Sequence, residues 1–464
     1  MTEEPQVKNC PGNEPRTSGL KPPASNLQNA RTVAVATLGC KVNQYESSSI
    51  AGMFRDRGYR VVEFGDKADV YVINTCTVTH GGDRKSRQLI RRAVKANPGG
   101  LVVVTGCYSQ VSPGEVLEIP GVDLVTGTAE RSRIVDMVEK LEKGRKISVV
   151  RESRHFTEFE EIPAVASTER VRAFLKIQEG CSNFCSYCIV PYARGPLKSR
   201  DPGKILEEAG RLAAAGYREI VLTGIHTGAY GKDMNGINLA GLLCKLAEIK
   251  GLARIRLSSI EPMDITGELI SLLAQGLPFC PHLHIPLQSG DDSILAAMRR
   301  DYGTEDLRKL INVIREKIRD VSVATDVIVG FPGENHDNFM NTYSFIRELN
   351  FSALHIFKYS PRKGTPAAEY PGQVTPGVKE ERSKSLISLG KDLSTRFASL
   401  YLGRNIEVLV EECVEGETGM VRGHTANYLP VVFPGDPELR GRFVEVRAEK
   451  MSGGLLTGRI INTP

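Results

Sequence analysis

Between Arg31 and about residue 361 the chain alternates between short β-branched runs and amphipathic helical stretches, which limits it to parallel α/β architecture. A parallel sheet gathers the carboxyl ends of its strands along one edge, and ligands bind there. The residues that end each run are therefore the first candidates for chemistry. RTVAVATLGC ends in Cys40, ADVYVINTC in Cys76 and LVVVTGC in Cys107. Neighbouring strands lie about 5 Å apart, so thiols at such ends can converge on one site. One buried cysteine would be an ordinary small apolar residue. Three strands ending alike favour convergence.

A second group of three lies in EGCSNFCSYCIVPYARGP, where Cys181, Cys185 and Cys188 follow spacings of four and three. No fourth Cys or His follows closely, and the next histidine is His226. A closed zinc site takes four protein ligands, usually in two pairs. Three thiolates in one loop suit an iron–sulfur cluster with one iron left open for a substrate or cofactor. The strand-end cysteines repeat that count, which suggests a second open cluster. Arg194, six residues past the loop, is a candidate for phosphate or cofactor.

The 464 residues, 41% hydrophobic and 25% charged, are ordinary for a globular chain of about three domains. The net charge of +5 permits nucleic-acid binding without demanding it. No run is long enough to span a membrane and the amino terminus lacks a secretory signal, so no membrane is expected. Ten cysteines in such a chain point to a reducing, cytoplasmic setting with metal or redox chemistry. Residues 1–30, rich in Pro, Asn, Gly and Ser, read as a disordered tail. Residues 31–145 form an α/β domain with the basic helix DRKSRQLIRRAVKANP just after Cys76. Residues 146–166 read as a charged linker with a short strand.

Residues 167–400 carry six strand-like runs separated by helices, two βα units short of a closed eightfold barrel. They fit an open partial barrel with room for a large substrate. The face beyond the strands would carry Gly224 to Gly228, Glu261, Gln288 and Gly330 to Glu334. His282 and His284 alternate on a strand and read as pleat-facing residues rather than metal ligands. Residues 401–464 change to short strands with Gly-rich turns, a small all-β barrel. No Walker A, GxGxxG or HExxH motif is present.

Cx3Cx2C at the first strand end of a partial βα barrel resembles the radical S-adenosylmethionine (SAM) superfamily. The stretches TLGCKVNQYES, NTCTVTHGGDRKSRQLIRR, TGCYSQ, LTGIHTGAYG and GHTANYLPV, in this order, resemble the methylthiotransferase family, in its branch acting on N6-threonylcarbamoyladenosine in tRNA. The resemblance runs from about Arg31 to the end. It implies an N-terminal methylthiotransferase domain, a radical SAM core and a TRAM domain. Cys181, Cys185 and Cys188 would hold a 4Fe–4S cluster whose open iron binds SAM and cleaves it to a carbon radical. Cys40, Cys76 and Cys107 would hold an auxiliary 4Fe–4S cluster for sulfur, and a second SAM would supply the methyl group. Tyr187, Gly224, Gly228, Glu261, Gln288, Gly330, Gly333 and Glu334 would contact the cofactor. Arg84, Lys85, Arg87, Arg91, Arg92, Arg404, Arg422 and Tyr428 would face tRNA. An electron donor such as flavodoxin or ferredoxin and a sulfur source would be partners. The competing expectations are a methylthiotransferase for isopentenyladenosine tRNA or for an aspartate of a ribosomal protein, and a non-catalytic zinc protein that binds RNA.

Overall fold

The computed structural model describes residues 30–162, 171–417, 419–452 and 455–462. The tail read over residues 1–30 therefore lies outside the described residues, apart from residue 30 itself. Six strands form the first sheet: β1 (Thr32–Thr37), β2 (Arg60–Val62), β3 (Val70–Thr75), β4 (Leu101–Gly106), β5 (Leu124–Thr126) and β6 (Ile147–Val149). Their order is β2-β1-β3-β4-β5-β6, and every pairing is parallel. β3 and β4 are buried along their whole length, which is why they read as unbroken apolar runs. Helix α1 (Lys41–Asp56) covers one face, packing Ile50 and Phe54 on Val33, Val70 and Val103. Helix α2 (His80–Ala96) covers the other, packing Ile90 and Ala93 on Ala34, Tyr71 and Val102. The chain turns from β1 to β2 on one side and resumes at β3 on the other. The β1/β3 boundary is thus the switch point at which such sheets bind ligands. The short strand read in the linker is β6, the far edge of this sheet.

The central domain has six parallel strands: β7 (Arg172–Lys176), β10 (Glu219–Thr223), β11 (Arg254–Leu257), β12 (His282–His284), β13 (Ser322–Val329) and β14 (Ala353–Lys358). Between β7 and β10 lies a short antiparallel pair, β8 (Gln178–Glu179) and β9 (Lys198–Ser199). Bridges Ile255–Phe279 and Ser259–His284 join the two three-stranded halves into one curved sheet. Among the described residues β7 and β14 do not pair, so the barrel stays open. Leu175, Ile177, Ile220, Leu222, Leu257, Leu283, Val323 and Val327 pack outward with the helices. By the two-residue period of a strand, the alternate positions face the lumen. They include Lys176, Glu219, Arg256, His284, Asp326 and His355, where closed barrels place branched aliphatics.

The last strands, β15 (Asn405–Cys413), β16 (Met420–Thr425), β17 (Pro430–Pro434), β18 (Phe443–Ser452) and β19 (Leu455–Asn462), form a closed barrel. It docks on the amino ends of the central strands. Arg172 pairs with Glu411 at 2.9 Å, Arg254 with Glu407 at 2.9 Å and Arg404 with Asp320 at 2.8 Å. The first domain docks on the carboxyl ends, where Lys176 meets Glu46 at 3.0 Å and Arg362 meets Asp83 at 2.7 Å. The two flanking domains therefore sit at opposite ends of the partial barrel. Among the described residues no helix is long and apolar enough to cross a membrane.

Candidate active site

The first thiol group is set by strand ends. Cys40 precedes α1 as its cap, Cys76 follows β3 and Cys107 opens α3 (Cys107–Val111) directly after β4. β1, β3 and β4 are neighbours, so the three cysteines share the switch-point edge. Gly39 and Gly106 precede two of them with φ of +109° and +99°, a region that favours glycine. A Cβ on Gly39 would stand 3.0 Å from Cys76 Cβ, so this backbone leans directly on the second thiol. Burial and the neighbouring Cys107 and Cys40 push the Cys76 thiol up to about 12. Burial likewise raises Cys107, against the pull of Arg194. The negative charge that opposes ionisation of Cys76 and Cys107 would be relieved by a cation among the thiols.

The second group follows β8. Cys181 N–H donates to Gly195 O at 3.0 Å, Cys188 N–H to Cys185 O at 3.0 Å and Ser186 N–H to Met298 O at 3.1 Å, so the loop is pinned at several points. Cys185 Sγ accepts from Arg300 Nη1 at 3.2 Å, and Arg300 is also ion-paired with Glu261. Cys181 Sγ lies 3.7 Å from His226 Nδ1, whose Nε2 is 2.6 Å from Asp264. Burial lowers the His226 pKa, but Asp264 and Cys181 outweigh it and hold the ring at about 9. Burial, with Cys185 and Cys181, pushes Cys188 up to about 12. A cavity bounded by Asn183, Cys185, His226, Glu261, Asp264 and Arg300 opens beside these thiols.

Among the described residues no three such side chains close on a single metal ion. A four-iron cluster binds each thiolate at a different iron, and three soft donors per site suit it.

Arg194 links the two groups. It is fully buried, with Nε 3.2 Å from Cys107 Sγ and Nη1 2.5 Å from Glu46 and 3.1 Å from Glu179. Glu46 also binds Arg131 at 2.5 Å and Lys176 at 3.0 Å. Three buried cations thus face two buried acids beside Cys107. This corrects the expectation that Arg194 meets phosphate or cofactor, since the network leaves it no free face.

The other expected contacts divide. Glu261 lines the cavity, and Tyr187 is half-buried below the loop with its ring 6.5 Å from Phe331. Gly224 stands against Gln178 and Gly228 against Asp264, under the His226 shelf. Gln288 holds its backbone between Asp326 O and Ile328 N–H in the sheet. Glu334 is buried and accepts from Gly330 N–H at 3.0 Å and Arg382 at 2.5 Å, so its carboxylate closes its own loop instead of facing the cavity. The space beside Gly330 is filled by Lys379, while a Cβ on Gly333, whose N–H donates to Gly372 O at 2.9 Å, would meet open space. Arg84, Arg91 and Arg92 are exposed on α2, Lys85 is half-buried, and Arg87 donates to Tyr108 Oη at 3.0 Å. Arg422 pairs with Glu412 at 3.6 Å. Tyr428 lies under Arg256 at 4.7 Å, and Arg404 pairs with Asp320 while its side chain stays partly open to solvent. The sequence marked His226 only as the next histidine and as part of the cofactor face, and gave no sign of Arg300, which donates to Cys185, or of Asp264, which acts on Cys181 through the His226 ring. Nor did it mark the exposed pair Phe184 and Tyr192, whose rings meet edge to face at 5.7 Å on the rim.

A three-thiol loop capping an open six-stranded βα barrel defines a radical SAM protein. Comparison with known proteins agrees. Residues 32–127 match the Uncharacterized protein family UPF0004, residues 175–346 the Radical SAM superfamily and residues 399–461 the TRAM domain. The chain is 48% identical to threonylcarbamoyladenosine tRNA methylthiotransferase MtaB of Bacillus subtilis, over 90% of this chain and 94% of that one. It is 41% identical to the Aquifex aeolicus protein of the same name, over 89% and 99%. It is 35% identical to tRNA-2-methylthio-N(6)-dimethylallyladenosine synthase of Moorella thermoacetica, over 93% and 99%. The fold is similar to that of the radical SAM methyltransferase TsrM from Kitasatospora setae, with a TM-score of 0.54 and 15% identity over 73% of this chain and 77% of that one. The chain belongs to the tRNA methylthiotransferase family of radical SAM enzymes.

Proposed function

We propose that this enzyme transfers a methylthio group to C2 of N6-threonylcarbamoyladenosine beside the anticodon of tRNA, giving the 2-methylthio product. The observation that carries the reading is the pairing of two thiol triads across one domain junction, with Arg194 reaching from the loop of one to Cys107 of the other. Relatives at 48%, 41% and 37% identity bear the corresponding name, against 35% and 36% for those named for dimethylallyladenosine.

In this reading Cys181, Cys185 and Cys188 would hold a 4Fe–4S cluster beside SAM, and Cys40, Cys76 and Cys107 a second. When bound, these groups supply one-electron cleavage of SAM and a sulfur to insert, the chemistry an unactivated C–H bond requires. The chain's own side chains do the holding. Arg300 fixes Cys185 and Glu261 together at the cavity wall. Asp264 orients the ring of His226 against Cys181. Phe184 and Tyr192 offer aromatic faces at the rim on which unpaired bases can stack. Arg84, Arg91 and Arg92 offer charge for phosphates. A flavodoxin- or ferredoxin-type electron donor and a separate sulfur source complete the reaction, in the cytoplasm.

The test is nucleoside analysis of tRNA from cells with and without this chain. The 2-methylthio form of threonylcarbamoyladenosine should vanish on deletion and return on complementation, but not with Cys185→Ala. Undiminished product in deleted cells without a second such gene, or loss of the dimethylallyl-derived nucleoside instead, refutes the assignment.

A further inference from the structure

The lumen holds a polar group between the two docking domains, within electrostatic reach of Lys41 at the start of α1. His284 on β12, Asp326 on β13 and His355 on β14 lie on three adjacent strands, and Asp326 is the register partner of His355. The rings of His284 and His355 stack at 5.1 Å with an interplanar angle of 14°. His284 Nε2 lies 2.8 Å from Asp326 Oδ1 yet makes no hydrogen bond among the described residues. His355 is exposed although it sits within a strand, and the Asp326 side chain is 23% exposed, so the group opens onto free space. The C-terminal barrel takes Arg172, Arg254 and Arg256, and the thiol cavity takes Glu261, His226 and Arg300. The histidine group lies between them. The bridge Ser259–His284 sets it two residues below Glu261, about 7 Å along the strand direction.

Two imidazoles and a carboxylate in a barrel lumen are costly unless water or a ligand satisfies them. We propose that His284, Asp326 and His355 receive the polar substituent on N6 of the target adenosine and so select threonylcarbamoyladenosine over dimethylallyladenosine. This rests on the substrate reading above. A threonylcarbamoyl group brings ureido N–H and hydroxyl donors together with carbonyl and carboxylate acceptors. Asp326 accepts from the donors and His355 donates to the acceptors. Although one side of its ring is open, the barrel wall desolvates His355 and, with His284 and Lys41, holds it below its ordinary pKa; a neutral ring offers one donor and one acceptor. A dimethylallyl group offers none of these bonds and would leave Asp326 and His355 without the partners the threonylcarbamoyl group supplies, the arrangement that rejects analogues most strongly.

The test uses reconstituted full-length enzyme and three anticodon stem-loop RNAs carrying adenosine, threonylcarbamoyladenosine or dimethylallyladenosine. Binding is read by fluorescence anisotropy. Wild type should prefer the threonylcarbamoyl RNA. His355→Leu should erase about tenfold or more of that preference, the worth of lost hydrogen bonds to a charged group. It should leave binding of the unmodified RNA unchanged, which also certifies the fold. His355→Gln, which keeps a donor and an acceptor, should retain most of the preference, and Asp326→Leu should reproduce the loss. A wild type that prefers threonylcarbamoyl RNA while His355→Leu and Asp326→Leu keep the full preference overturns this inference alone. A wild type without that preference overturns the substrate reading and this inference with it.

Discussion

Replacing Arg194 by Leu removes a guanidinium that is fully buried between two domains. Glu46 and Glu179 each keep Arg131 and Lys176, so what is lost is the share of Arg194 in the charge balance at both acids. Burial alone would raise the Glu179 pKa, but Arg194 and Lys176 bring it to about 2, from an ordinary 4.5. Linkage converts that difference, which Arg194 shares with Lys176 and Arg131, to at most about 3 kcal/mol for Arg194. Breaking one partner of a buried ion pair gives the same order, about 3–5 kcal/mol. The sign follows from the depressed pKa. The stabilisation is complete above about 4.5 and disappears as pH falls through about 2. Urea unfolding of Arg194→Leu, followed by hydrogen exchange in the first domain, should show a deficit of up to about 3 kcal/mol at pH 7. At pH 3.5 the deficit should be about 1 kcal/mol smaller, because wild type has by then lost part of the contribution. A deficit below about 1 kcal/mol, or one that does not change with pH, would show that the network is not a structural tie between the domains.

Gly39→Ala forces a Cβ against Cys76 at a φ of +109° and should cost reconstituted enzyme about four iron atoms, one cluster, while SAM cleavage persists. Tyr428→Ala removes the ring beneath Arg256 and beside Arg172, which should loosen the C-terminal barrel by about 1–2 kcal/mol, read as its earlier proteolytic release. Arg91→Gln with Arg92→Gln should reduce the slope of log affinity for tRNA against log salt by about two. An unchanged slope would show that this face of α2 does not meet phosphate.

Most of the fold was legible because it is written in periodicity. The six strands of the central barrel and the three cysteine-bearing strands of the first sheet each carry an apolar run ended by a distinct residue. β2, three residues at a sheet edge, is too short to leave a pattern, and the pair β8 and β9 has two residues per strand. The cysteines were legible because thiols at repeated strand ends and at Cx3Cx2C spacing are rare. Most of their partners were not: Arg300 and, through His226, Asp264 act on them by tertiary packing that leaves no local signature, and Arg194, visible beside the loop, turns out to bind Cys107 of the other group. The partners of Tyr428 and Arg404 in the central domain were not legible, because an interface facing another domain has the same composition as one facing RNA. Only the docking of the C-terminal barrel on Arg172, Arg254 and Asp320 separates the two cases.

The central claim is that six cysteines form two independent sites of three. Iron and acid-labile sulfide per chain, measured after anaerobic reconstitution, test it most directly when wild type is compared with two triple variants. Wild type should hold about eight irons. Replacing Cys181, Cys185 and Cys188 by Ala should leave about four irons and no SAM cleavage, and replacing Cys40, Cys76 and Cys107 should leave about four with cleavage retained. Loss of all iron from either variant, or a wild-type protein that binds zinc in place of iron, would contradict it.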